Sequence, residues 1–177
     1  MKRRAVFLDR DGVLVRAAPL AEYAHGPLTL EDFLLFDGIA EPVRRLRDAG
    51  FATVLATNQP AIARGQMSRE TLDEMHRRLA AAIPLDDIEV CPHTDADHCA
   101  CRKPKPGMLL AAAEKLGLDL PRSYFIGDTA RDVNAAVAAG VTPILIDWPY
   151  NRALRVAHRV KNLAEAVELI LARGTAP

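Results

Sequence analysis

Two carboxylates stand two residues apart near the start of the chain, directly after a short apolar run. Asp9 and Asp11, in Asp9-Arg10-Asp11-Gly12, follow Ala5-Val6-Phe7-Leu8. Such a pair could supply a nucleophile and a proton donor to one small cavity, because Gly12 permits a tight turn of the backbone. Taken alone, the same residues are equally typical of a turn or a helix cap. Their function therefore depends on what else reaches them.

A third carboxylate follows a later apolar run, at Asp128 in Gly127-Asp128-Thr129-Ala130-Arg131-Asp132. A carboxylate that attacks a phosphate dianion meets like-charge repulsion, about 4 kcal/mol for a unit pair 4 Å apart at an effective dielectric of 20. A cation must offset this repulsion. Magnesium is suited to the task because it prefers one or two carboxylates together with a phosphate oxygen. Asp9 and Asp128 are the candidate carboxylates.

All three cysteines fall within residues 91–101, in Cys91-Pro92-His93 and Cys99-Ala100-Cys101. An odd number of clustered cysteines favours a metal site in a reducing compartment over a disulfide framework. Three thiolates and one imidazole are a common ligand set for structural zinc. The one-residue gaps are tighter than those of a zinc finger, so free buried thiols are the alternative.

The elements that must position these residues alternate between strands and helices. The five predicted strands are 5–8, 51–56, 88–91, 123–126 and 142–146, and the five predicted helices are 39–49, 69–83, 107–116, 130–139 and 163–171. This alternation predicts an α/β fold with a central parallel sheet covered by helices on both faces. Ligands of such sheets bind beyond the carboxyl ends of the strands. Asp9, Asp11, Thr57, Asn58 and Asp128 all follow predicted strands.

Length and charge restrict the class of protein. The 177 residues fit a single domain over 1–177, with 174–177 as a frayed tail. Equal numbers of acidic and basic residues argue against nucleic-acid binding, and no run approaches the roughly 20 apolar residues of a membrane span. The apolar run near Met1 is too short for a signal peptide. We expect a cytoplasmic protein; no motif fixes the oligomeric state, and a monomer is favoured.

Four segments, taken in order, resemble the signature motifs of the haloacid dehalogenase (HAD) superfamily of phosphatases. They are Asp9-Arg10-Asp11-Gly12-Val13, Ala56-Thr57-Asn58-Gln59, Arg102-Lys103-Pro104 and Gly127-Asp128 through Asp132. The resemblance implies a Rossmann-like domain and a magnesium-dependent phosphomonoesterase that forms a phospho-aspartate. The stretch from Asp11 to Ile39 is too short for the cap domain of larger members.

The resemblance also implies roles for individual residues. Asp9 attacks phosphorus, and Asp11 protonates the leaving oxygen and then activates water. Thr57 and the Asn58 backbone hold the phosphoryl oxygens, and Lys103 offsets charge on the nucleophile and the phosphoryl group.

The magnesium ligands follow from the same resemblance. They are the Asp9 carboxylate, the Asp11 carbonyl oxygen and the Asp128 carboxylate. Asp132, one helical turn after Asp128, is expected to support the site without binding the metal.

The cysteine loop indicates which branch of the superfamily the sequence resembles. Cys-Pro-His followed by Cys-x-Cys-Arg-Lys-Pro is similar to the branch of D-glycero-D-manno-heptose-1,7-bisphosphate 7-phosphatase and histidinol-phosphate phosphatase. It implies structural zinc bound by Cys91, His93, Cys99 and Cys101.

Thr57-Asn58-Gln59-Pro60-Ala61-Ile62-Ala63-Arg64-Gly65 is similar to the motif of the heptose enzymes, although Pro60-Ala61 replaces Ser-Gly. The resemblance therefore implies a small phosphorylated sugar as substrate, namely a heptose 1,7-bisphosphate from which the 7-phosphate is removed. Histidinol phosphate is the nearer alternative, and a polynucleotide 3′-phosphate is the more distant one.

A bisphosphate needs a second anion site, for which Arg64 and Arg102 are candidates because guanidinium matches phosphate geometry. Trp148-Pro149-Tyr150-Asn151 is interpreted as a packed surface loop, with a rim of the site or a dimer contact as alternatives.

Overall fold

The computed structural model describes residues 2–19 and 24–174. The strands in chain order are β1 (Ala5–Leu8), β2 (Ala18–Pro19), β3 (Ala24–His25), β4 (Ala52–Asn58), β5 (Asp87–Cys91), β6 (Tyr124–Gly127), β7 (Thr142–Ile146) and β8 (Arg159–Val160). The helices are α1 (Ala40–Asp48), α2 (Arg69–Ala82), α3 (Gly107–Leu116), α4 (Ala130–Ala138) and α5 (Leu163–Gly174). Strands β2 and β3 form a separate antiparallel pair.

The six remaining strands form one parallel sheet in the order β5-β4-β1-β6-β7-β8. β1 is central and buried along its whole length. Its alternate residues belong to two apolar layers: Ala5 and Phe7 pack with α3 and α4, whereas Val6 and Leu8 pack with α1, α2 and α5. A strand between two such layers must be apolar at every position. The predicted α/β class with helices on both faces is confirmed.

The first four helices begin and end within one residue of their predicted bounds. Ser68 precedes α2, and its hydroxyl accepts a hydrogen bond from the Thr71 backbone N–H at 3.1 Å. Gly117 ends α3 in the left-handed conformation, with φ of 64°. Glycine adopts this conformation without the steric strain that other residues meet.

Strand ends differ from the prediction by one or two residues. β4 continues to Asn58, so Thr57 and Asn58 lie in the strand and not after it. The reason is tertiary: β5 offers backbone partners as far as Cys91, which pairs with Asn58. The short strands β2, β3 and β8 were not predicted, because two-residue strands carry no detectable alternation. The last helix extends to Gly174, and the rest of the predicted frayed tail lies outside the described residues.

The described part of the connection between β1 and α1 is too short to form a cap domain. Its described residues contain the β2–β3 pair and no helix. None of the helices in the described ranges is both long and apolar enough to cross a bilayer.

Candidate active site and metal centre

The carboxyl ends of the central strands open into a cavity of about 790 Å³. Strands β4 and β5 lie on one side of β1, and β6, β7 and β8 lie on the other. Ligands of open α/β folds bind where the strand order changes side in this way. The cavity is lined by predicted site residues from four segments of the chain: Asp9, Asp11, Asn58, Arg64, Arg102, Lys103, Asp128 and Asp132. A volume of this size suits a small-molecule ligand.

Lys103 is a buried cation that contacts two carboxylates of the site. Its side chain is 2% exposed, and Nζ lies 2.8 Å from Asp9 Oδ1 and 2.6 Å from Asp132 Oδ1. Nζ also donates to the Ala56 carbonyl oxygen at 2.9 Å. One ammonium therefore holds two carboxylates in place, which fixes the orientation of Asp9.

Burial and crowding of charge shift the pKa values of this cluster. Burial raises the pKa of Asp9 to about 7, repulsion from Asp132 adds to the rise, and Lys103 opposes both. Burial and repulsion from Asp132 and Asp9 raise the pKa of Asp128 well above its usual range. Burial alone would raise the pKa of Asp132, yet attraction to Lys103 outweighs it and the pKa is lowered. Burial alone would lower the pKa of Lys103, yet Asp132 and Asp9 raise it.

The acidic cluster fits a divalent cation. One carboxylate oxygen from each of Asp9, Asp128 and Asp132 lies within 4.8 Å of the others. Asp128 Oδ1 is buried and has no hydrogen-bond partner among the described residues. An unpartnered buried carboxylate oxygen is costly unless a cation binds it. Gly12, at φ of 80°, leaves room for this carboxylate, since a Cβ at residue 12 would collide with it.

The Asp11 carboxylate is bound by an arginine, whereas Asp9 is bound by Lys103. Arg10 is fully buried and binds both Asp11 oxygens, with Nε to Oδ1 at 2.9 Å and Nη2 to Oδ2 at 3.1 Å. Gln59 Nε2 also donates to Asp11 Oδ2 at 2.9 Å. The Asp11 carboxylate lies against Gly26, where a Cβ atom would collide with it. The structure thus places the Asp11 carboxylate outside the three-carboxylate cluster.

The two predicted residues on β4 differ in access to the cavity. Thr57 is buried, and its hydroxyl accepts a hydrogen bond from Gln59 Nε2 at 2.9 Å. Asn58 lines the cavity and exchanges two hydrogen bonds of 3.1 Å with the Lys103 backbone. Asn58 therefore attaches the segment that carries Lys103 to the end of the sheet.

The four predicted zinc ligands converge at the end of β5. Cys101 Sγ lies 3.1 Å from Cys91 Sγ and 3.4 Å from Cys99 Sγ, and 3.3 Å from His93 Nδ1. Tetrahedral zinc with bonds of about 2.3 Å to sulfur separates its sulfur ligands by roughly 3.8 Å. The donor set and its spacing therefore fit a four-coordinate zinc ion, with only a small outward movement of the ligands.

Arginines surround the mouth of the cavity. Arg64 is exposed there. Arg102 Nε donates to Asp95 Oδ1 at 2.9 Å, and its Nη1 donates to the His93 carbonyl oxygen at 3.0 Å. Arg131 Nη1 also donates to Asp95 Oδ1, at 2.9 Å. Asp95 thus links two guanidinium groups from separate segments.

Sequence reasoning missed several residues that shape the site. Arg10 stands between the two acidic residues of the first motif, a position from which its pairing with Asp11 could have been anticipated. Arg131 stands within the fourth motif but has no local signal for its contact with Asp95. For residues 148–151 the sequence favours a packed surface loop, with a rim of the site as an alternative; the Tyr150 hydroxyl donates to Asp128 Oδ2, so this loop does contact the site.

The parallel sheet, the acidic residues at the tip of its central strand and the buried lysine define the class of protein. The family model for haloacid dehalogenase-like hydrolases matches residues 20–140. The chain belongs to this family, as its four motifs predict.

Several relatives of this chain are named as heptose bisphosphate phosphatases. The chain is 39% identical over 148 residues to the D-glycero-beta-D-manno-heptose-1,7-bisphosphate 7-phosphatase of Pseudomonas putida, covering 81% of this chain and 82% of the relative. It is 41% identical over 156 residues to the enzyme of that name from Escherichia coli K12, covering 80% and 78%. A crystal structure of D,D-heptose 1,7-bisphosphate phosphatase from B. bronchiseptica, complexed with magnesium and phosphate, superposes with a TM-score of 0.83 at 32% identity, covering 96% of this chain and 99% of that one.

Proposed function

We propose that this protein is a phosphomonoesterase that removes the 7-phosphate of D-glycero-D-manno-heptose 1,7-bisphosphate through a phospho-aspartate on Asp9. The observation that supports the chemistry is the meeting of Asp9, Lys103 and Asp128 at the floor of an open cavity. The shared name of relatives about 40% identical over most of the chain supports the substrate.

Magnesium supplies the charge shielding that lets a carboxylate approach a phosphate dianion. The residues that would hold it are Asp9 and Asp128 through carboxylate oxygens, and Asp11 through its carbonyl oxygen. Asp132 is committed elsewhere, since Oδ1 pairs with Lys103 and Oδ2 accepts from Thr129. It supports the site by holding Lys103 against Asp9.

Asp9 attacks phosphorus in line with the departing sugar oxygen. Its Oδ1 is held by Lys103 Nζ and by the Arg10 backbone N–H, both at 2.8 Å, so the carboxylate is oriented before substrate binds. Orientation of this kind removes part of the entropic barrier. Lys103 also offsets the negative charge of the phosphoryl group.

Asp11 transfers protons. It protonates the sugar oxygen as the phosphorus–oxygen bond breaks, and then takes a proton from the water that attacks phosphorus and frees Asp9. In the structure Arg10 binds both Asp11 oxygens, so the carboxyl group must turn away from Arg10 to reach the sugar oxygen.

Arg64, Arg102 and Arg131 provide cationic groups at the cavity mouth for the phosphate that is not cleaved. Arg102 and Arg131 both bind one carboxylate, Asp95, so this group of three side chains carries an excess of positive charge. Guanidinium forks bind phosphate oxygens in pairs. A substrate with one phosphate would leave these groups unused.

Structural zinc in the loop of residues 91–101 would fix Arg102, which follows the ligand Cys101 directly. The four protein ligands complete a tetrahedral shell, so this metal takes no part in the reaction. Three thiolate ligands suit a reducing compartment. The cytoplasmic location and the monomeric state stay predictions.

The chemistry is tested with Asp9→Asn. Purified protein should release phosphate from an aryl phosphate only when magnesium is present, and Asp9→Asn should abolish release because the amide cannot attack phosphorus. Asp73→Asn, the same change at an exposed position of α2, is the matched control and should retain full activity. Activity that survives in Asp9→Asn would refute the phospho-aspartate.

The substrate is tested by comparing kcat/KM for the two anomers of the heptose bisphosphate, histidinol phosphate and a 3′-phosphorylated oligonucleotide. A heptose bisphosphate should be preferred by at least about 100-fold, because only it engages both anion sites. A preference for histidinol phosphate or for the oligonucleotide would overturn the assignment and leave the chemistry intact.

A further inference from the structure

The loop after β7, residues 148–151, contacts the active site and not merely the surface. Trp148 Nε1 donates to the Gly12 carbonyl oxygen at 3.0 Å. The Tyr150 hydroxyl donates to Asp128 Oδ2, and Asn151 Nδ2 donates to the Asp128 carbonyl oxygen at 2.7 Å. One four-residue segment therefore binds the backbone beside Asp11 and both ends of Asp128.

The two Asp128 oxygens differ in their hydrogen bonding. Oδ2 is occupied by the hydroxyl, whereas Oδ1 is buried and unpartnered within the described residues. The outer torsion of an aspartate side chain is broad, so an unsupported carboxylate samples many orientations. With Oδ2 held, Oδ1 remains available to a metal ion.

The loop is rigid enough to impose this orientation. The Tyr150 ring stacks on Trp148 with centroids 6.3 Å apart, and Trp148 stacks on Phe36 at 6.0 Å. Asn151 is 3% exposed, and its Nδ2 also donates to the Ile146 carbonyl oxygen at 2.8 Å. Arg159 Nη1 donates to Asn151 Oδ1 at 2.9 Å. Aromatic stacking and buried hydrogen bonds thus fix the position of the Tyr150 hydroxyl.

We propose that Tyr150 is a positioning residue for the magnesium ligand Asp128. The proposal rests on the proposed function, because it assumes that Asp128 binds magnesium. Groups that hydrogen-bond to metal ligands commonly change metal affinity about 10- to 100-fold when they are removed. Tyr150 does not touch the reacting atoms in this proposal, so its hydroxyl acts on metal affinity and not on the chemical step.

The test compares Tyr150→Phe with the matched control Tyr124→Phe. The first variant loses only the hydroxyl and keeps the ring that stacks on Trp148. Tyr124 lies at the opposite end of β6 and packs edge-on against Phe51, far from the metal ligands in the sheet. Protein is dialysed against metal-free buffer without a chelator, which removes weakly held magnesium and retains zinc.

Magnesium affinity is measured by calorimetry, and manganese affinity by paramagnetic resonance on the same samples. Tyr150→Phe should weaken both affinities by about 10-fold or more, with kcat at saturating magnesium within about twofold of the parent. Tyr124→Phe should match the parent. Thermal melting of the metal-free samples verifies that both variants are folded.

Unchanged affinity in folded Tyr150→Phe would overturn the proposal, as would a loss of kcat without a loss of affinity. Failure of the parent protein to bind magnesium would instead refute the proposed function. The two failures are therefore distinguishable in one set of titrations.

Discussion

A single ammonium group organises the charges of the active site. Lys103 is almost fully buried between Asp9 and Asp132, and a lysine in such a place is stable only because both carboxylates attract it. Its backbone is attached to the sheet by Asn58, and its Nζ also donates to the Ala56 carbonyl oxygen. Under the proposed function, Lys103 is therefore oriented before substrate binds.

Replacing Lys103 by Met should lower kcat by at least about 100-fold, because a preorganised charge in a buried site is lost. Steady-state kinetics with an aryl phosphate measures the effect. The same replacement at Lys115, which pairs with Asp87 on the surface, is the control and should leave kcat unchanged. A Lys103→Met enzyme with near-parental kcat would show that the lysine is only structural.

At the scale of elements, the cysteine loop connects a strand to the cavity mouth. Cys91 ends β5, and the short turn Asp95–Asp97 carries the carboxylate that binds Arg102 and Arg131. The loop has few apolar residues of its own. A metal ion bound by the loop would hold it in one conformation, and would thereby hold Asp95 and the two arginines that it binds.

Cys99→Ser should abolish zinc binding and lower the melting temperature by roughly 5–10 °C, the shift expected from losing 2–3 kcal/mol in a chain of this size. It should also lower kcat/KM for the heptose bisphosphate more than for an aryl phosphate, because Arg102 loses its position.

Zinc content by mass spectrometry, thermal melting and the two kinetic constants measure these effects. Ala100→Ser, an exposed change in the same loop, is the control. A parent protein without zinc, or equal losses on both substrates, would contradict the expected role of the loop.

At the scale of the whole molecule, a buried histidine makes the free energy of unfolding depend on pH. His76 lies on the inner face of α2 and is 6% exposed, and its Nε2 has no hydrogen-bond partner in the described part of the chain. Burial lowers its pKa to about 4, and the nearby Arg10 adds to the effect. The folded protein therefore keeps this imidazole neutral.

Acidification should destabilise the protein through His76. Between the unfolded pKa of 6.5 and the folded value of about 4, the unfolded chain binds a proton that the folded chain does not, so stability falls as pH falls. From pH 7 to pH 5 the loss is about 2 kcal/mol.

Urea unfolding at both pH values measures this loss. In His76→Leu the difference between the two pH values should shrink by that amount, and in the exposed control His98→Asn it should not. An unchanged difference in His76→Leu would show that another group causes the acid sensitivity.

Much of the fold and of the site follows from local patterns. The alternation of apolar strands and amphipathic helices predicted the parallel sheet, and the polar residues at strand ends predicted where Asp9 and Asp128 meet. The prediction failed for β2, β3 and β8, because a strand of two residues is too short to show an alternation of apolar and polar residues. It also placed the end of β4 too early, because the ladder with β5 and not local hydrophobicity sets that end.

By itself, the sequence determined the class of fold, the four family motifs and the grouping of three cysteines and a histidine in one loop. These features depend on residue type and on neighbours along the chain. Only the tertiary structure decided that Asp11 pairs with Arg10, that Lys103 is shared with Asp132, and that a loop 136 residues away holds the Gly12 carbonyl. Such contacts depend on side-chain torsions and on packing between distant segments, and neither leaves a periodic signal in the sequence.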